Sequence, residues 1–252
     1  YRTNVGRTKR ILEIAQQANM KFIYISTISV GSMFPETHTD NHFSECDLYK
    51  GQSIDSPYTL SKFYGEVAVL ECIRLGLDAK IIRVGNLTPS TQGIINMKHV
   101  TTNRFSIIMK DLLALDEIGE TIAQMNVECS NVDTVAEAIV NIAMLNSDRN
   151  MFHVYNPYML SIQTLLNQCR TSGKPISVID DQAFQELLNK QNMFEIVGLN
   201  STRKAQRQAQ LTSVQTEDIL HKIGVEWKPL NQSWIQSWRS FIENSFNEEG
   251  IK

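Results

Sequence analysis

Ser56-Pro57-Tyr58-Thr59-Leu60-Ser61-Lys62-Phe63-Tyr64-Gly65-Glu66 decides how this chain is read. No proline follows between Tyr58 and Leu75, and apolar residues recur there at helical spacing, which predicts a helix over 58–75. Pro57 suits its first turn, where a missing N–H costs nothing. Tyr58 and Lys62 stand at i and i+4, so such a helix carries both on one face. An ammonium close to a phenol favours the phenolate and draws the tyrosine pKa down from about 10. A phenol tuned in this way donates a proton near neutral pH. A Tyr-x3-Lys pair also arises by chance, so the surrounding segments carry the argument.

Upstream, Lys21-Phe-Ile-Tyr-Ile-Ser26 is a dense apolar run that predicts a strand buried on both faces of a parallel sheet. Ser26-Thr27-Ile28-Ser29 follows at its carboxyl end, where open α/β sheets place their ligand crevice. Ser26 and Thr27 are therefore candidates to hold a substrate oxygen; the other reading is that they finish the strand and bond to backbone. Downstream, 79–84 predicts the next strand, ending in the polar turn Gly85-Asn86-Leu87-Thr88-Pro89. Strand, helix and strand in succession imply a βαβ unit and a parallel sheet. A helix over 4–19 precedes the first strand, with an apolar stripe at Ile11, Leu12, Ile14, Ala15 and Ala18.

Residues 32–56 read as a long loop, and a loop of that length in a compact domain is often a lid or binding loop. His38 and His42 flank Asp40, but no helical pattern or further ligand cluster supports a metal, and no metal site is expected. Further along, helices are expected over 104–115, 134–145 with Asp133 as N-cap, 161–169 capped by Ser161, 182–190, 216–223 ending at Gly224, and 231–245. Strands are expected over 122–129, 151–155 and 176–179. Arg203, Lys204 and Arg207 form a modest basic patch, read as a solvated helix face or a docking face for an acidic partner. Trp234, Ile235, Trp238 and Ile242 share one helix side, a packing pattern.

The net charge of −3 gives no reason to expect nucleic acid as a partner. No apolar run reaches membrane-spanning length. Cys46, Cys72, Cys129 and Cys169 are scattered without a CxxC, which fits reduced thiols and a cytoplasmic location.

Taken in order, Asn4-Val5-Gly6-Arg7-Thr8, the strand ending in Ser26-Thr27, Tyr58-x3-Lys62 and Arg83-Val84-Gly85-Asn86 resemble the extended short-chain dehydrogenase/reductases. Val132-Asp133 and Val154-Tyr155-Asn156 continue the match. The wording is most similar to the terminal thioester reductase domains of nonribosomal peptide synthetases. Related carboxylic acid reductases and fatty acyl-CoA reductases share much of it.

The resemblance implies an α/β fold with a Rossmann-type doubly wound parallel sheet and a smaller, mostly helical substrate lobe. Residues 1–157 would be the later part of the NADP-binding domain, with 90–126 inserted toward the lobe, and 158–252 the substrate and carrier-docking lobe. It implies NADPH-dependent reductive release of a carrier-bound peptidyl or aminoacyl thioester as an aldehyde, with a peptidyl carrier domain and its phosphopantetheine arm as partner. Thr27 would bond the substrate carbonyl oxygen and Tyr58 would protonate it. Lys62 would bond the nicotinamide ribose and depress the Tyr58 pKa. Asn4, Ser26, Gly85, Asn86 and Leu87 would line the cofactor side.

One departure is large: no G-x-x-G-x-x-G occurs among these residues. The chain also opens at Tyr1 without Met, so the nucleotide loop and first strands are expected upstream of it. The alternatives are a nucleotide-sugar epimerase or dehydratase of the same superfamily, a non-catalytic dinucleotide sensor, and a docking domain.

Overall fold

Three short apolar segments, Phe22–Thr27, Ala79–Val84 and Met151–Val154, pair side by side as a parallel sheet in that order. The computed structural model describes residues 2–92, 103–170, 173–191, 193, 196 and 206–248. The chain divides into two compact units: 1–87 with 134–155 and 206–226, and 88–133 with 156–205 and 227–252. It therefore crosses between units several times, and 206–226 returns to the first.

In the first unit the central strand Ala79–Val84 is buried along its whole length, as a strand covered on both faces must be. Phe22–Thr27 is not: Ile25 remains 37% exposed. The helix Pro57–Arg74 starts where the sequence places it, with Ser56 accepting from the Thr59 N–H at 3.0 Å and Pro57 in the first turn. Its apolar side packs with Leu12, Ala15, Tyr24, Leu77 and Ile81 into one core. The helix Arg7–Gln17 is preceded by a π-helical turn, Arg2–Gly6, a local widening that often accompanies functional positions. Buried Lys80 donates to the carbonyls of Ile142 (2.9 Å) and Leu145, finishing the helix Val132–Met144 from the sheet.

The segment 32–56 is more ordered than its loop-like composition suggests. Met33–Pro35 pairs antiparallel with Gln206–Gln208, and His42–Phe43 pairs parallel with Gln210–Leu211. Phe34 and Phe43 are fully buried with Val30. The buried carboxylate of Glu45 accepts from the N–H groups of Gln215 (3.0 Å) and Thr216 (2.9 Å), capping the helix Val214–Lys222 from a distant part of the chain. That helix ends at Gly224, whose φ of +80° suits the left-handed residue beyond a helix terminus.

The second unit has its own core, in which Trp234, Ile235, Trp238, Ile242 and Phe246 meet Leu165, Leu166, Phe184 and Leu188. Trp238 stacks on Trp234 and on Phe105, at 5.7 and 5.8 Å between centroids. Ser161 caps Ile162–Cys169 as expected, accepting from Thr164 N–H at 3.1 Å. The strand expected over 122–129 is instead a helix, Glu120–Gln124, followed by the two-residue strand Asn126–Val127. A short apolar run fits either state, and here Ile122 and Ala123 reach the core from a helical turn. Asp133 lies within the first turn of Val132–Met144 rather than before it, and accepts from the Thr91 N–H and hydroxyl. All four cysteines are free thiols. Among the described residues no helix is long and apolar enough to cross a membrane.

Candidate active site

The site is built wholly within the first unit, where the carboxyl ends of two strands meet the start of the helix Pro57–Arg74. Register decides which side chains face that helix. Ser26 pairs with Arg83 and Arg83 with His153, so the three stand in one row across the sheet. Two residues earlier, Tyr24 lies on the same face. It lies so close to the helix that a Cβ on Gly65 would sit 2.0 Å from its hydroxyl. Only glycine permits this approach.

Lys62 projects from the helix toward the first strand and donates to the Ile25 carbonyl at 2.8 Å. Its ammonium lies 5.4 Å from the Tyr24 ring centroid and 5.9 Å from that of Tyr58, between two aromatic faces. Burial lowers the Lys62 pKa, while the Glu66 carboxylate acts against that fall. Tyr58 is 55% exposed. Partial burial raises its pKa, opposite to the downward pull expected from the sequence. The phenol is therefore held in its protonated form at neutral pH.

Thr27 is buried and ends its strand by capping the turn Ile28–Gly31. Its hydroxyl oxygen accepts from the Ser29 N–H at 3.2 Å and donates to the Ser29 hydroxyl at 3.1 Å. Ser26 is 1% exposed, and its hydroxyl donates to Glu66 Oε1 at 2.5 Å. Asn4 donates through Nδ2 to the Ser61 hydroxyl at 2.9 Å, and Ser61 in turn donates to the Tyr58 carbonyl at 2.7 Å. This ties the π-helical turn to the first turn of the tyrosine helix. Gly85 follows the central strand and donates its N–H to the Val154 carbonyl at 3.1 Å. Asn86 follows it, and Leu87 is 36% exposed beyond. The structure thus brings Tyr58 and Lys62 together at the helix start, ties Asn4 to that turn through Ser61, turns Ser26 onto Glu66 of the same helix and engages Thr27 in its own turn.

Beneath the site lies a network that pattern reading did not single out. Glu66 and Arg83 are both fully buried and joined twice, Nε to Oε1 at 3.0 Å and Nη2 to Oε2 at 2.7 Å. Arg83 Nη1 meets His153 Nε2 at 3.2 Å, and His153 Nδ1 meets the Thr212 carbonyl at 2.9 Å. A carbonyl only accepts, so Nδ1 carries the proton and Nε2 accepts from Arg83. Burial and the Arg83 charge push His153 down to about 3, which keeps it neutral. The guanidinium also lies 5.0 Å from the Phe43 ring centroid. The signal in the sequence was the Tyr58, Lys62, Glu66 spacing, one residue per turn on one helix face.

Arg207 of the basic patch does not lie on a helix. Arg203 and Lys204 lie outside the described residues, and Arg207 stands in the strand Gln206–Gln208. Its Nη2 donates to the carbonyls of His38 and Thr39 (2.8 Å to the latter), so this cation is used within the fold. His38 Nδ1 faces the Asp40 carbonyl at 2.6 Å and His42 faces the Asp40 carboxylate at 3.2 Å, a loop-closing set. Among the described residues no three His, Cys, Asp or Glu side chains are placed to hold a metal.

A parallel sheet of this topology, with a tyrosine–lysine helix meeting the carboxyl ends of its strands, is the extended short-chain dehydrogenase/reductase form of the Rossmann fold. The NAD-binding family described as "Male sterility protein" matches residues 1–139, and the chain belongs to it. Among solved structures, the reductase domain of the aureusimine biosynthetic cluster is 42% identical with a TM-score of 0.92, over 96% of this chain and 66% of that one. The thiolation-reductase di-domain of an archaeal nonribosomal peptide synthetase is 29% identical with a TM-score of 0.81, over 97% of this chain and 53% of that one. A curated relative, glycine betaine reductase ATRR of Emericella nidulans, is 25% identical over 181 residues, 68% of this chain and 13% of its own length. The chain thus spans less than two-thirds of each. The dTDP-glucose 4,6-dehydratase of Bacillus anthracis shares the fold at 14% identity and a TM-score of 0.60, over 100% of this chain and 71% of that one.

Proposed function

We propose that this chain carries the catalytic part of an NADPH-dependent reductase that releases a carrier-bound peptidyl or aminoacyl thioester as an aldehyde. The observation that carries the reading is the Tyr58–Lys62 pair on the helix Pro57–Arg74, with Lys62 bonded to the Ile25 carbonyl two residues before Thr27. The similarity to two reductase domains of biosynthetic assembly lines supports the choice of substrate class.

The residues present fit the nicotinamide end of a dinucleotide. The Lys62 ammonium has three N–H groups, and the bond to Ile25 uses one, which leaves two for a ribose diol. Gly85, Asn86 and Leu87 lie beyond the end of the central strand, where such sheets receive their ligands. When bound, the cofactor supplies a hydride to the thioester carbonyl carbon.

The chain's own residues do the rest. Thr27 turns its hydroxyl proton from Ser29 to the carbonyl oxygen, and Tyr58 delivers its proton there as negative charge develops. Lys62 holds the ribose and keeps a positive charge beside the phenol. The resulting hemithioacetal expels the carrier thiol and leaves the aldehyde. Asn4, through Ser61, holds the backbone of Tyr58 in place.

A sugar-nucleotide enzyme needs cations for a diphosphate, and Arg207 is already engaged by two backbone carbonyls. The test uses the full-length parent protein with an aminoacyl thioester on its carrier domain, following NADPH absorbance and aldehyde formation beside Tyr58→Phe. Oxidation that falls about 100-fold or more in the variant, with aldehyde as product, supports the reading. NADPH binding without oxidation refutes it and favours a sugar-nucleotide substrate or a sensor.

A further inference from the structure

Behind the Tyr58–Lys62 helix face lies a buried clamp of Ser26, Glu66 and Arg83. Ser26 stands between Ile25, whose carbonyl receives Lys62, and Thr27, the hydroxyl offered to substrate. Its own hydroxyl reaches across to Glu66, one turn beyond Lys62 on the same helix. Glu66 is in turn gripped at both oxygens by Arg83, from the neighbouring strand. The helix that carries Tyr58 and Lys62 and the strand end that carries Thr27 are thereby joined by charged and polar bonds inside the core.

We propose that Ser26, Glu66 and Arg83 are positioning residues, a buried clamp that sets Thr27 and Lys62 relative to one another across the strand–helix gap. This rests on the reductase reading for the chemistry, though not for the geometry. A fully buried ion pair is not the cheapest way to hold a helix on a sheet, since apolar side chains of similar volume do that as well. What the pair adds is direction. The bidentate geometry admits one rotation of Glu66, and the Ser26 bond transmits that rotation to the strand end. The groups facing Glu66 are Ser26 and Arg83, with Lys62 and Tyr24 beyond, and the neutral His153 supports Arg83 from the next strand. Glu66 is thus also the carboxylate that supports the charge on Lys62 in a partly dry setting.

Two variants of the full-length parent protein, Ser26→Ala and Glu66→Gln, test this with two readouts. The first is steady-state thioester reduction. The clamp predicts that Ser26→Ala lowers kcat about 10-fold to 100-fold, the scale of an ångström-sized misplacement, with KM for the thioester unchanged. The second is the rate at which Lys62 is acetylated by a small anhydride as a function of pH, read by mass spectrometry of its peptide. Without the Glu66 charge Lys62 loses its proton more readily, so Glu66→Gln is labelled faster near neutral pH than wild type. Unfolding would take Lys62 out of its buried setting and move its midpoint up toward an ordinary lysine, opposite to the downward shift the clamp predicts for Glu66→Gln. Wild-type kcat in Ser26→Ala overturns the clamp, and so does an unchanged Lys62 profile in Glu66→Gln. Should wild type fail to reduce thioesters, the reductase reading falls, and the labelling profile by itself decides for or against the clamp.

Discussion

Replacing Glu66 with Gln probes how much the buried pair costs when only half of it remains. Both side chains are 0% exposed and joined by two short bonds, so removing the carboxylate charge strands a guanidinium in the core. His153 cannot take over, because Arg83 is its donor and burial holds it neutral. Breaking one side of such a pair costs about 3–5 kcal/mol. For a domain of this size each kcal/mol shifts Tm by roughly 2–4 °C, which places the loss at roughly 6–20 °C. The double variant Glu66→Leu with Arg83→Met removes both charges and fills similar volume, so it recovers to within about 1–2 kcal/mol of wild type. The assay is urea unfolding of wild type, Glu66→Leu, Arg83→Met and their double, closed as a thermodynamic cycle, with Glu66→Gln measured beside them. A single variant that loses under about 1 kcal/mol refutes the reasoning, as does a double variant no better than Arg83→Met, because either result would mean that solvent reaches the pair.

Three further outcomes follow from the same geometry. Gly65→Ala places a methyl 2.0 Å from the Tyr24 hydroxyl, so it destabilises by about 1–3 kcal/mol in thermal unfolding, and Tyr24→Phe in the same background recovers part of that loss. His153 has a folded pKa of about 3 against an ordinary 6.5, so between those values the unfolded chain binds the extra proton. Stability present above pH 6.5 is therefore lost as pH falls toward 3, and denaturant titrations of His153→Gln show a shallower slope over that window. Glu45→Ala removes the acceptor for two N–H groups at the start of Val214–Lys222, so hydrogen exchange there accelerates and stability falls by about 1–2 kcal/mol.

Much of the first unit was legible because local rules and tertiary needs agree there. The run 79–84 reads as a strand and is one, buried along its whole length, whereas the run 21–26, read as buried on both faces, leaves Ile25 exposed. Ser56-Pro57 opens a helix because a capping hydroxyl and a missing N–H both belong at that position. Where a stretch was short and apolar, as over 122–129, the pattern admitted two answers and packing chose the helical one. The polar segment 32–56 carries no periodicity, and its two short strands exist because 206–211 comes back from far along the chain to pair with them. Arg207 misled for the same reason: its strand and its two carbonyl acceptors belong to that distant pairing.

By itself the sequence put Tyr58, Lys62 and Glu66 on one helix face, since helical spacing is a local property. It also set the hydroxyls of Ser26 and Thr27 at a strand end. Only the tertiary structure decided which of them reaches the helix Pro57–Arg74. Side chains alternate along a strand, so Thr27 and Ser26 must point to opposite sides, and the parallel register aligns Ser26 with Arg83 and His153 over Glu66. The sign of the Tyr58 shift was decided there too. A lysine one turn away can lower a phenol's pKa, but burial of the Tyr58 ring raises it here.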